Sequence, residues 1–146
     1  MSPPTNETGF EKRDLALIQL RRAVQLHNQG DFVCSVTLAG AAEEILGRIA
    51  QKRAGTTALE GHEHFSSEIA GILGVPPPEK KDVRDAHNRT RNELKHNDDG
   101  ENAWLKADFE FEAQALIDRA ICNYWLAYDT APTDRVIANY VRFYWS

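Results

Sequence analysis

The stretch that most constrains the fold runs from Phe32 to Arg53, FVCSVTLAGAAEEILGRIAQKR, with Phe32, Val36, Ala39, Leu46 and Ile49 along one side. That spacing suits one face of an α-helix and not a half-buried strand, whose apolar residues alternate. Its centre, Ala39-Gly40-Ala41-Ala42, carries almost no side-chain bulk, so another helix can approach closely. Glu43 follows where the apolar stripe would continue, between Ala39 and Leu46. A carboxylate there sits at the edge of the core or is paired. A structural ion pair with an arginine of the fourth helix, described below, is expected ahead of a catalytic acid.

The rest of the chain reads in the same period. Phe10, Leu17, Leu20 and Val24 mark one face of a first helix, widened by Leu15 and Ile18. Asn28, Gln29 and Gly30 end it, and Asp31 is placed to cap the next helix. So short a connection makes the first two helices antiparallel neighbours. Residues 54–63 read as a loop. A short third helix follows, with Phe65, Ile69, Ile72 and Leu73 as its apolar face and Gly74 as its stop. Pro76, Pro77 and Pro78 form a stiff connector into a fourth helix, from about Glu79 to His96. The fifth extends from about Ala107 to Tyr128, with Phe109, Ala113, Leu116, Ala120, Ile121, Tyr124 and Tyr128 inward, and Pro132 separates it from a last short helix over Thr133–Tyr144. No alternating strand pattern and no internal repeat occurs. The expectation is an all-α, antiparallel four- to five-helix bundle with a short C-terminal helix, residues 1–9 being a flexible tail and 10–146 a single domain.

The fourth helix is anomalous. Between Arg84 and His96, RDAHNRTRNELKH, stand three arginines, two histidines and two asparagines, and with Val83 included only Val83, Ala86 and Leu94 are apolar. An ordinary amphipathic helix devotes far more of its surface to an apolar face. Such a cluster suits a phosphate, a carboxylate or a partner chain. The formal net charge of −5 argues against indiscriminate binding of long duplex nucleic acid, which needs a broad basic face, but leaves room for a local site.

Within this helix Arg91 is followed by Asn92 and, five positions on, by His96. Arg22 and His27 share that spacing, but Arg22 is followed by Ala23 in an ordinary amphipathic helix. The motif Arg91-Asn92-Glu93-Leu94-Lys95-His96, with the small-residue second helix SVTLAGAAEEILG, resembles a HEPN (higher eukaryotes and prokaryotes nucleotide-binding) domain. Members of that family are helical bundles with an R-x4-6-H motif and a polar residue, often Asn, after the Arg. The resemblance extends from about Phe10 to Tyr128, and its specific element is six residues long.

What the resemblance implies is a metal-independent endoribonuclease of toxin or defence type, acting as a homodimer with both motifs lining one cleft. Its catalytic residues would be Arg91, Asn92 and His96, supported by Asn88, Lys95, Arg84 and Glu43; its substrate would be RNA, and its partners an antitoxin or a nucleotidyltransferase. Some members carry a Tyr two residues after the His as the site such a transferase modifies; here Asp98 stands there. No cofactor is expected. The alternative is a non-catalytic module for dimerisation or for binding a nucleotide or RNA.

The residue types suit the chemistry. Cleavage by the 2′-hydroxyl needs a proton acceptor and donor near neutrality, which His supplies with an unperturbed pKa of ~6.5. It also needs positive charge on the phosphate, which the guanidinium fork of Arg91 supplies. On an ideal helix Arg91 and His96 lie ~140° apart, whereas Asn88, Asn92 and His96 follow one another at i, i+4 and i+8. With Val83, Thr90 and Leu94 turned to the core, Arg91 lies on the flank and His96 points away. The pair then requires a break before His96 or a second subunit.

Other features have plainer readings. His62 and His64 in HEH are too few for a zinc site, so a solvated loop is expected there. Cys34 and Cys122 lie in apolar helical patterns without CxxC spacing and read as buried, reduced thiols. No run of eighteen apolar residues occurs and the N-terminus lacks the regions of a signal peptide, so a cytoplasmic protein without membrane attachment is expected. Ten of the thirteen aromatic residues lie from Trp104 onward, which points to the C-terminal part as the bulk of the core or as an interface. The terminal VIANYVRFYW has only Arg135 and Arg142 as basic groups nearby, so it is expected to dock on the bundle or on a second subunit.

Overall fold

The computed structural model describes residue 2 and residues 5–95 and 104–146. These form six helices and, among the described residues, no strand: α1 (Lys12–Asn28), α2 (Phe32–Ala54), α3 (Ala58–Leu73), α4 (Lys80–Lys95), α5 (Phe109–Tyr128) and α6 (Arg135–Tyr144). The protein is all-α. Four helix starts are set by side-chain caps: Asp31 of α2 accepts from Cys34 N, Thr57 of α3 from Glu60 N, Asp108 of α5 from Phe111 N, and Asp134 of α6 from Val136 N and Ile137 N.

α2 is the central helix and packs chiefly on α1 and α5. Val36, Ala39, Ala42 and Leu46 of α2 are fully buried against Leu20 and Val24 of α1 and Leu116 and Ile117 of α5. The small residues at the middle of α2 let these backbones come close, and each large aliphatic group removed from water contributes roughly 1.5–3 kcal/mol. α6 closes the layer with Ile137 and Tyr140. Asp118 Oδ1 accepts from both the Tyr140 hydroxyl (2.9 Å) and the Trp145 indole N–H (3.0 Å), so the C-terminal segment docks on the bundle.

The orientation of α5 differs from the expected antiparallel arrangement. Glu43 faces Arg119, Gly47 lies against Asn123, and Arg53 donates to Ala127 O, so residue numbers rise together and α2 and α5 run parallel. The reason is α3, which packs across α4 and α5 near the end of α2, leaving α4 to return the chain. The same helix corrects a second expectation. Most of the supposed loop at 54–63 is helical, because Thr57 with Glu60 three residues on forms a capping pair that starts α3 at Ala58.

The expected inward face of α3 is also displaced. Ile69, Ile72 and Leu73 are exposed, while Leu59, Glu63 and Ala70 are buried. Phe10 precedes α1 and stands exposed, as do Leu15 and Ile18. Of the C-terminal aromatics only Tyr140 is buried, while Phe109 and Tyr124 pack half-buried against the core. The bulk of that core is aliphatic, and Phe111, Trp125 and Phe143 are more than half exposed. Cys34 is exposed and Cys122 half-buried, so neither thiol is fully sequestered. Among the described residues no helix is long and apolar enough to cross a membrane.

Candidate functional site

α4 explains its own shortage of apolar residues by the way it packs. Its buried positions are Asn88 and Thr90, with Val83 and Leu94 half-buried. Arg84, Asn88, Arg91 and Lys95, spaced i, i+4, i+7 and i+11, each engage a polar partner on another helix. Arg84 pairs with Glu63 of α3 at 3.2 Å, Asn88 Oδ1 accepts from Arg119 of α5 at 3.1 Å, Arg91 meets Glu43 of α2, and Lys95 lies 3.8 Å from Glu44. The helix is attached by charge and hydrogen bonds where its neighbours are attached by aliphatic side chains.

Glu43 is the hub. Its Oε2 accepts from Arg91 Nη1 at 2.7 Å, and its Oε1 lies 3.6 Å from Arg119 Nε, an ion pair too long for a hydrogen bond. The Glu43 side chain is 8% exposed and those of Arg91 and Arg119 are 16% and 12%. Bringing three ionised groups so far from water is tolerable because each is paired. Burial lowers the Arg119 pKa, against the opposing pull of the Glu43 carboxylate.

Gly40 makes room for this arrangement. A Cβ on it would fall 2.6 Å from Arg91 Cγ and closer still to Cδ, so the Arg91 stem lies on bare backbone. The small centre of α2 therefore serves two neighbours. Ala39 and Ala42 admit the apolar helices, and Gly40 admits an arginine.

Beside the hub an open groove of about 510 Å³ runs between α2, α3 and α4, lined by Glu43, Arg48, Glu60, Arg84, Asn88 and Arg91 among others. Asn92 is exposed on the outer side of α4. Asn88, expected to share a face with Asn92, is instead turned inward to Arg119, because the 40° offset between i and i+4 carries it toward the helix interface. His96 and Asp98 lie outside the described residues.

No family model, no curated protein and no solved structure matches this chain. The site is accordingly characterised by its geometry.

Two participants were not singled out by sequence reasoning. Arg119 is a cation one turn after Leu116 in a helix with an apolar face, the counterpart of Glu43 in α2, and that symmetry was the available signal. Asn123 is fully buried; its Oδ1 accepts from Ala58 N at 2.8 Å and its Nδ2 donates to Glu43 O at 3.5 Å, tying α2, α3 and α5 together. The HEH element also lies elsewhere than expected. His62 and His64 are on α3, where His62 meets the ring of His87 and His64 pairs with Glu68 at 3.1 Å.

Proposed function

We propose that the chain is a HEPN-like, metal-independent endoribonuclease of toxin or defence type, working as a homodimer in which two α4 segments meet across a cleft. The observation that supports this reading is the placement of Arg91, its guanidinium held by Glu43 at the edge of an open groove, with exposed Asn92 next to it in sequence. A guanidinium already fixed by a carboxylate loses little freedom when it meets a phosphate, which is the preorganisation that charge stabilisation requires. In this reading His96 takes the proton of the 2′-hydroxyl as the 2′-oxygen attacks phosphorus, and the opposing subunit's motif assists departure of the 5′-oxygen. Arg91 holds the non-bridging oxygens, and Asn92 orients phosphate or imidazole. Glu43 positions Arg91, and Asn88, Arg84 and Lys95 support the basic flank.

A second reading, a non-catalytic module that dimerises or binds a nucleotide or RNA, is favoured by one feature of the groove. Glu43, Glu44 and Glu60 stand there beside Arg48, Arg84 and Arg91, so carboxylates and guanidiniums balance.

The deciding experiment incubates the full chain with single-stranded RNAs in EDTA. Cleavage by the wild type that falls by ~100-fold or more in His96→Ala supports the enzyme. Arg91→Lys is the better companion than Arg91→Ala, since the latter also strips Glu43 of its closest partner. No cleavage of any RNA, or cleavage indifferent to His96→Ala, sinks the enzymatic reading. RNA retained without cleavage in a binding assay favours the second.

A further inference from the structure

Where α3 meets α4, the ring of His62 from α3 stands against that of His87 from α4, with centroids 4.3 Å apart and planes at 79°. We propose that His62 and His87 form a binding site for a borderline divalent transition-metal ion, of the Zn²⁺, Ni²⁺ or Cu²⁺ class, with water completing the coordination. The inference is independent of the ribonuclease reading.

Geometry carries it. With metal–nitrogen bonds of ~2.0–2.1 Å, two imidazoles bound at right or tetrahedral angles have ring centres ~4.5–5.2 Å apart. The observed separation is shorter and the rings stand edge to face, so His62, which is exposed, would withdraw by a few tenths of an ångström and turn its ring to bring a nitrogen to the ion. The two rings come from different helices and open on a cavity of about 370 Å³ that also holds Glu112, Phe111 and Arg119, which leaves space for water ligands.

The electrostatic setting is compatible. Arg119 would repel a cation, but Glu43 and Glu112 both act on it with opposite charge, and Glu63 lies close enough to act on His87. An imidazole binds such an ion through the lone pair of its neutral form. Ligand type excludes hard ions: imidazole suits zinc, nickel and copper, whereas magnesium and calcium take oxygen. Among the described residues no third His, Cys, Asp or Glu completes a ligand set, so the site would be open rather than a closed structural one.

The consequence would be mechanical. α3 leaves Ile69, Ile72 and Leu73 exposed, and its described polar contact with α4 is the Glu63–Arg84 pair. An ion held by His62 and His87 would fasten α3 to α4, so binding should stabilise the folded chain.

The test uses chelator-treated full-length protein titrated calorimetrically with Ni²⁺ or Zn²⁺, together with thermal unfolding. Expected are one ion per chain and a rise of about 5 °C in midpoint at saturating metal, reversed by EDTA. His62→Ala and His87→Ala should each weaken binding by ~10-fold or more, while His64→Ala leaves it unchanged. If metal-free His87→Ala does not fold, His62→Ala, at an exposed position, decides alone. With Cu²⁺, electron paramagnetic resonance should show two nitrogen ligands. Binding that survives His62→Ala, binding lost in His64→Ala (which would place the ion on the His64–Glu68 pair), equal binding of Ca²⁺, or no binding by the wild type overturns the proposal.

Discussion

The aliphatic stem of Arg91 occupies the space that a side chain at Gly40 would need, and from there Arg91 Nη1 reaches Glu43 Oε2 at 2.7 Å. A residue without a side chain thus admits a cation to the carboxylate one turn along the same helix. Gly40→Ala should cost ~1–3 kcal/mol in urea unfolding, by forcing the Arg91 stem away. In the Arg91→Ala background the same substitution should be neutral or should stabilise by up to ~1 kcal/mol, because alanine is the better helix former once the clash is gone. Additive costs in the double mutant would show that Arg91 is not what the methyl meets.

Glu43 holds two cations and each cation holds one hub carboxylate, so removing the acid should hurt more than removing either base. Glu43→Gln leaves Arg91 and Arg119 facing each other with little solvent, at a cost of ~3 kcal/mol or more. Arg91→Ala should cost less, since Arg119 still faces Glu43. Equilibrium denaturation of the two variants measures the order, and the reverse order would refute the hub.

Protonation should unfold the chain from the acid side. His27 is 4% exposed and, among the described residues, neither ring nitrogen has a hydrogen-bond partner; burial lowers its pKa, as it does that of His87. A base whose folded pKa lies below its unfolded value takes up protons preferentially when unfolded, so stability is complete above the unfolded pKa of ~6.5 and is lost as pH falls below it. The unfolding midpoint should drop between about pH 7 and pH 5. His27→Phe, placed among the rings of Phe32, Tyr140 and Tyr144, should reduce that dependence by up to ~1.4 kcal/mol per pH unit. An unchanged slope would remove His27 from the explanation.

Asp118 anchors the C-terminal helix through one oxygen that accepts from Tyr140 and Trp145. Burial, with the Asp118 charge adding to it, pushes the Tyr140 pKa well above the ordinary tyrosine range, so the hydroxyl remains a donor throughout the accessible pH range. Asp118→Ala should cost ~1–3 kcal/mol, while Tyr140→Phe should cost ~1 kcal/mol, leaving Trp145 in place. Trp145 fluorescence and limited proteolysis of residues 135–146 would report the difference; equal effects would mean that the indole contact contributes nothing.

How far the fold was legible can be traced to particular residues. The α2 stripe, the Asp31 cap, the turn at Gly30 and the breaks at Gly74 and Pro132 were readable because capping and helical period are local. The Glu43 partnership was readable because a carboxylate interrupting an apolar stripe needs a partner unless it stands at the edge of the core. Thr57 and Glu60 were equally local, and their capping signature was overlooked inside a stretch rich in Gly and Thr. The inward face of α3 was not readable, because a short helix at the edge of a bundle can present either side and its isoleucines suit an exposed position poorly but tolerably.

By itself the sequence determined that the chain is helical, where most helices begin and end, and that α4 attaches by something other than apolar packing. Only the tertiary structure decided which charges answer one another. Arg91, Glu43, Asn88 and Arg119 come from three helices, and their pairing depends on α5 lying parallel to α2 and on Gly40 being bare beneath an arginine. Local periodicity carries no information about which helix stands opposite, since that choice is made by the close packing of the whole core.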